Sequence, residues 1–209
     1  PMIISPAMLG ADFVVYSMTK FINGKNDCVA GAICGSNEFV GQLSDVNDGT
    51  AMLLGPVLDS LRSSNILKNL NTLHIRMKQH SKNAQFLAGN FEKSGLKVNY
   101  PGLKNNTQHE LHKELMNKEF GFGGILALDF TTLKNANRIM QKMQDAGVGF
   151  LAVSLGYFKT LFSCSGHSTS SEIPVEVQRK MGLSEGLVRF SVGLDNNIED
   201  TFQKIMNCI

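Results

Sequence analysis

The chain has no tryptophan, only three tyrosines, five prolines and four cysteines among 209 residues. Cys28, Cys34, Cys164 and Cys208 are scattered and form no C-x-x-C pair, which argues against a disulfide framework and against a zinc knuckle. Reduced thiols in a cytoplasm are the plain expectation. An excess of charge is also missing: 20 basic against 18 acidic residues give +2, too little to imply a nucleic-acid or membrane surface as partner. No run of about 18 apolar residues occurs, so no transmembrane helix is expected. A metal site is not expected either. His109 and His112 stand three apart, but Thr107 to His112 does not read H-E-x-x-H and no third ligand lies at a suitable spacing. Gly121, Gly123 and Gly124 lack the spacing of a dinucleotide fingerprint. What remains is an ordinary globular composition, 43% hydrophobic and 18% charged, in a chain long enough for one or two domains with a real core.

The apolar pattern predicts an α/β arrangement. Strand-like runs cover about residues 12–16 and 28–34, and Val29, Ala30, Ala32 and Ile33 suggest a strand buried on both faces, as in a parallel sheet. Helical signals begin near Asn37. A long helical stretch over about 56–94 carries Leu73, Met77, Ala84, Leu87, Ala88 and Phe91 at amphipathic spacing. Two asparagines weaken it at Asn69-Leu70-Asn71, and a domain boundary is expected there, dividing 1–70 from 71–209. Beyond Gly95 short strands (Val98 and Tyr100, Ile125–Phe130, Phe150–Ser154, Leu187–Val192) alternate with helices over 134–145 and 197–207. The Ser-rich stretch 163–171 and Pro174 read as a loop.

Two places carry candidate chemistry. At the end of the first strand stand Ser17, Thr19 and Lys20, followed by the turn signal Asn23-Gly24. A lysine held against an apolar wall loses hydration, which favours the neutral amine, and a neutral amine forms Schiff bases with carbonyls. Two neighbouring hydroxyls suit a phosphate. An aldehyde and a phosphate together describe pyridoxal 5'-phosphate. On the tetrapeptide alone, a solvated loop lysine is the commoner case. The second place is Arg189, mid-strand among Val188, Phe190 and Val192; a charge there needs a partner, either a structural ion pair or an anionic ligand. A serine–lysine acyl-transfer site is the rival, since Ser17-Met18-Thr19-Lys20 also satisfies S-x-x-K. The companion elements fail at their last residues, in Ser44-Asp45-Val46 and Lys159-Thr160-Leu161.

From Leu9 to Gly24 the chain resembles the cysteine/methionine-metabolism family of pyridoxal phosphate enzymes, whose members read L-G-A-D-x-V-V-x-S-x-T-K-[YF]-[IL]-N-G. Further stretches agree in order: Leu53-Leu54-Gly55-Pro56, Thr72 to Met77, Tyr100-Pro101-Gly102-Leu103 with His109, Ala152 to Gly156, and Gly186 to Gly193. The resemblance implies a mainly parallel-sheet cofactor-binding domain, of which 1–70 is the C-terminal portion, followed by a smaller α/β domain with a mostly antiparallel sheet. It implies that Lys20 carries the cofactor, that Ser17 and Thr19 bind its phosphate, and that Arg189, with Ser154, holds the carboxylate of an amino-acid substrate. It also implies a homotetramer built as a dimer of dimers, and a carbon–sulfur lyase. Lys25 stands where the family often has His, and the loop Ser163 to Glu172 replaces a common H-P-A-x-M-T-H. That loop and Leu53 to Pro56 look most like plant-type members that eliminate methanethiol from L-methionine; cystathionine γ-lyase or γ-synthase chemistry is the alternative. Family members are roughly twice this length, so the chain is expected to be a C-terminal half, inactive alone and holding cofactor weakly.

Overall fold

Asn69 and Asn71 divide the long helical stretch at the expected place. The computed structural model, which describes residues 1–168 and 172–209, has α3 over Ser60–Leu70 and α4 over Leu73–Lys93. Asp59 starts α3 by accepting a hydrogen bond from the Arg62 amide, and Asn197 does the same for Asp200 at the start of α8, Ile198–Cys208. Before these lie β1 (Val14–Ser17), β2 (Gly31–Cys34), α1 (Asn37–Leu43) and α2 (Thr50–Leu54). After α4 come β3 (Val98–Asn99), α5 (His109–Leu115), β4 (Ile125–Asp129), α6 (Leu133–Asp145), β5 (Gly149–Leu151), β6 (Thr160–Cys164), α7 (Val175–Lys180), β7 (Leu187–Ser191) and α8.

Five strands form one sheet in the order β3-β4-β7-β6-β5, antiparallel except between β5 and β6. Strand period two separates its faces. Leu126 and Leu128 of β4 and Val188 and Phe190 of β7 enter a core with Leu87 and Phe91 of α4, Ile139 and Met143 of α6, and Ile205 of α8. Each such side chain stabilises the fold by about 1.5–3 kcal/mol when fully buried. Arg189, flanked by Val188 and Phe190, therefore lies on the face away from that core. A second cluster joins Ile22, Ile66, Leu73, Met77 and Phe120, so the segment following Lys20 rests on α3 and the start of α4.

Several expectations need correction. β1 and β2 pair antiparallel, with Val14 opposite Cys34 and Ser17 opposite Gly31, and Val15, Val29 and Ile33 are exposed. Residues 28–34 are thus not a two-sided strand of a parallel sheet; a continuous apolar run looks the same whether its faces are covered or open. Tyr100 lies just past β3, buried, its hydroxyl donating to the Gly123 carbonyl at 2.9 Å. The strand expected over Phe150–Ser154 is the shorter β5. Part of the presumed Ser-rich loop is β6, buried at every position from Thr160 to Cys164; Ser163 and Cys164 pair with Arg189 and Val188 of β7. Thr169, Ser170 and Ser171 of that stretch lie outside the described residues.

Candidate active site

The Lys20 turn is built from three sides. β1 ends at Ser17 and the chain enters a single wide turn, Met18–Ile22, closed by the Asn23 amide donating to the Met18 carbonyl at 2.9 Å. Lys20 leaves helical geometry within it (φ −87°, ψ −129°). Such wide turns cluster at functional sites. From α4, the Arg76 guanidinium donates to the carbonyls of Phe21 (2.6 Å), Ile22 (2.8 Å) and Asn69 (3.0 Å). Burial holds its pKa below the ordinary value, yet an arginine stays charged at any physiological pH. Gly24 has φ +74°, and a Cβ there would stand 2.6 Å from Arg76 Nη1. The Asn23-Gly24 pair is therefore a fitted contact as well as a turn.

The third side is the segment after β5. Gly156 has φ +71°, and a Cβ on it would meet the Phe21 amide nitrogen at 2.4 Å; its own N–H donates to the buried Ser191 hydroxyl at 2.8 Å. This close approach brings Ser154 to the lysine. Lys20 Nζ donates to Ser154 Oγ at 3.3 Å, and Ser154 Oγ donates to Asn26 Oδ1 at 2.8 Å. Arg189, from β7, reaches the same segment: its Nη2 donates to the carbonyls of Val153 (3.0 Å) and Ser154 (3.2 Å). Its Nε is buried with no hydrogen-bond partner, burial pulls its pKa below the usual range, and no acidic side chain pairs with it among the described residues.

The structure thus brings Lys20, Ser154 and Arg189 to one place. Ser17 and Lys20 also border a mainly apolar cavity of about 400 Å³, lined further by Tyr16, Phe21 and Phe122; Arg189 and Ser154 do not line it. Thr19 is engaged elsewhere: its hydroxyl donates to the Ala30 carbonyl (3.3 Å) and accepts from the Ala30 amide (2.9 Å), tying the start of β2 to the turn. His80 lies behind Phe21, rings edge to face at 5.2 Å, with its Nδ1–H donating to the Val192 carbonyl at 2.6 Å. Desolvation drives its pKa to about 4, so it is a neutral packing group near neutral pH. His109 and His112 stack with Phe122 at 5.1 and 5.4 Å. Sequence reasoning missed Arg76 and Asn26. Arg76 stood in a matching stretch, but backbone carbonyls as its partners leave no sequence signal. Asn26 meets Ser154 across 128 residues.

A lysine amine and a guanidinium with no acidic partner among the described residues, converging beside the sheet of an α/β fold, define a site suited to covalent work on a small anionic amino compound. The chain belongs to the Cys/Met metabolism PLP-dependent enzyme family, whose model matches residues 1–207. It is 46% identical to a methionine gamma-lyase of Arabidopsis thaliana over 200 residues, which are 95% of this chain and 45% of that protein. It is 34% identical to a cystathionine gamma-lyase of Dictyostelium discoideum, over 94% of this chain and 49% of the relative. The solved structure of a cystathione gamma lyase from Micromonospora echinospora superposes with a TM-score of 0.86 at 26% identity, covering 99% of this chain and 52% of that one. The chain spans about half the length of the curated relatives it matches.

Proposed function

We propose that the whole protein is a pyridoxal phosphate-dependent carbon–sulfur lyase of sulfur amino acids, with γ-elimination of L-methionine to methanethiol, 2-oxobutanoate and ammonia as its reaction. The observation that carries this reading is the meeting of Lys20 Nζ with Ser154 Oγ (3.3 Å) while Arg189 grips the carbonyls of Val153 and Ser154. One short segment then sets the distance between an amine and an anion receptor. The residues fit the cofactor. Lys20 has a hydroxyl rather than a carboxylate as its hydrogen-bond partner, the exposed Ser17 stands beside it, and Arg189 Nε is buried without a partner.

Pyridoxal phosphate, when bound, supplies an aldehyde for an amine and a ring that withdraws electrons from Cα. Lys20 is the residue that holds it. Ser17 is the freer phosphate donor, because the Thr19 oxygen already makes two bonds to Ala30. Arg189 would offer its unpartnered Nε–H and guanidinium edge to the substrate carboxylate, a charge-assisted contact that fixes the amino acid's orientation. With the carboxylate so placed, Lys20 Nζ is the base within reach of the Cα proton, and it carries that proton as an ammonium. The hydroxyl of Ser154 limits where the amine swings.

Methionine is preferred over cystathionine because one methionine gamma-lyase relative is 46% identical, against 34% for a cystathionine gamma-lyase and 32–34% for cystathionine beta-lyases, although other methionine gamma-lyases stand at 34–36%. Cystathionine γ-lyase or γ-synthase chemistry is the second reading. Incubating the intact enzyme with each amino acid and identifying thiol and oxo-acid separates them: methanethiol from methionine is expected, and its absence eliminates the first choice. The remaining parts of the reading are a cytoplasmic location, drawn from the scattered cysteines, and a homotetramer, drawn from the resemblance, with residues 1–70 completing a larger cofactor domain and 71–209 forming a smaller one, divided at the Asn69-Leu70-Asn71 break.

A further inference from the structure

Asn26 lies outside every stretch that pointed to the site, and its backbone is unusual. It holds φ +53°, one of two non-glycine residues described with positive φ, a conformation that asparagine tolerates better than most residues but that still carries a cost. Residues 25–27 of the loop bearing it are exposed, but its base is anchored. Asn23, 2% exposed, donates through Nδ2 to Asp27 Oδ1 at 2.7 Å and accepts through Oδ1 from Asn69 Nδ2 at 2.8 Å. Asn69, just before the end of α3, thus anchors Asn23, and Asn23 ties the two ends of residues 23–27 together. Asn26 is presented at the bend of this braced loop, with its carboxamide oxygen 2.8 Å from Ser154 Oγ.

A serine hydroxyl has one proton to give. Once that proton points at Asn26 Oδ1, what Ser154 turns toward Lys20 Nζ is a lone pair, and the amine becomes the donor at 3.3 Å. Without Asn26 the hydroxyl rotates freely and can as well aim its proton at the amine, occupying the lone pair that Lys20 needs for nucleophilic or basic work. We propose that Asn26 is a positioning residue for Lys20. It acts through Ser154, fixing the hydroxyl so that the lysine amine is held by its hydrogens and its lone pair is left for the reacting carbon. The inference rests on the reading of Lys20 as the cofactor-bearing lysine. It assigns a role to a loop residue that the matching stretches leave out.

The test is the rate at which the full-length polypeptide, freed of cofactor, takes up pyridoxal phosphate covalently at Lys20. Borohydride quenching at successive times turns the condensed C=N bond into a stable secondary amine, and peptide mass locates and counts the label. Asn26→Gly removes the carboxamide while suiting the positive φ, so folding is preserved. It is expected to slow labelling about threefold to tenfold, the scale of one hydrogen bond. Asn26→Asp keeps an acceptor oxygen for Ser154 and is expected to restore the rate to within about twofold. Ser154→Ala should slow labelling to a similar degree, and adding Asn26→Gly to it should change nothing further, since the two act in series. Labelling of Asn26→Gly at the wild-type rate, or an equal slowing by Asn26→Gly in the presence and absence of the Ser154 hydroxyl, overturns the inference alone. If wild-type Lys20 takes no label, the reading of the site falls and this inference with it.

Discussion

At the residue scale the site is a matter of which polar atoms have partners. Arg189 keeps a buried Nε without one, and in the proposed function a substrate carboxylate is the group that would satisfy it. Arg189→Ala in the intact enzyme should therefore lower kcat/KM by on the order of 100-fold, the scale of one or two charge-assisted hydrogen bonds. Arg189→Lys should recover little, because a point charge does not reproduce the fork. Steady-state kinetics with methionine read both. His80 gives a prediction of a different kind. Its folded pKa, about 4 against an ordinary 6.5, means that the unfolded chain binds the extra proton first as pH falls. The neutral imidazole leaves stability whole above about pH 6.5 and costs up to ~3 kcal/mol as pH drops toward 4. Denaturant melts of wild type and His80→Asn at pH 7 and pH 4.5 should show the shallower pH dependence in the variant; equal slopes would contradict the assignment.

At the scale of elements, the Lys20 turn depends on parts distant in sequence. Arg76 spends its guanidinium on three carbonyls, and Arg76→Met leaves all three without that donor. A loss of about 2–4 kcal/mol is expected, visible as a lower denaturation midpoint. Gly156→Ala places a Cβ against the Phe21 backbone at positive φ; both stability and covalent labelling of Lys20 should fall, with about 1–3 kcal/mol from backbone strain alone. These contacts explain what could be read in the sequence. Helices α3, α4, α6 and α8 were legible because their apolar residues recur at helical spacing. Strand β6 was not, since Ser163 and Cys164 suggest a loop until their neighbours are known. The apolar run before and within β2 was legible as a strand but not in its pairing, because an exposed antiparallel strand and a buried parallel one share the same composition. Lys20, Ser154 and Arg189 stood in recognisable stretches. Arg76 and Asn26 act through contacts that no local pattern records.

At the scale of the molecule, the two halves of the chain differ in how they meet solvent. Exposed large apolar residues concentrate before residue 70, among them Met8 (85%), Val29 (87%) and Val57 (85%), whereas the five-stranded sheet and its helices enclose a continuous core. Exposed apolar surface of that extent marks contact surfaces, and the chain spans about half the length of its relatives. The 209-residue chain on its own should therefore bind a hydrophobic dye and self-associate, and hold pyridoxal phosphate far more weakly than the full-length polypeptide; equal, stoichiometric binding by both, read from absorbance after gel filtration, would contradict this. The central claim is that Lys20 is the amine to which the cofactor is joined. Its most direct measurement is borohydride reduction of the full-length polypeptide saturated with pyridoxal phosphate, followed by peptide mass analysis. One phosphopyridoxyl group per chain on Lys20, lost in Lys20→Ala, is the predicted result; an unmodified Lys20, or label carried by another lysine, would contradict it.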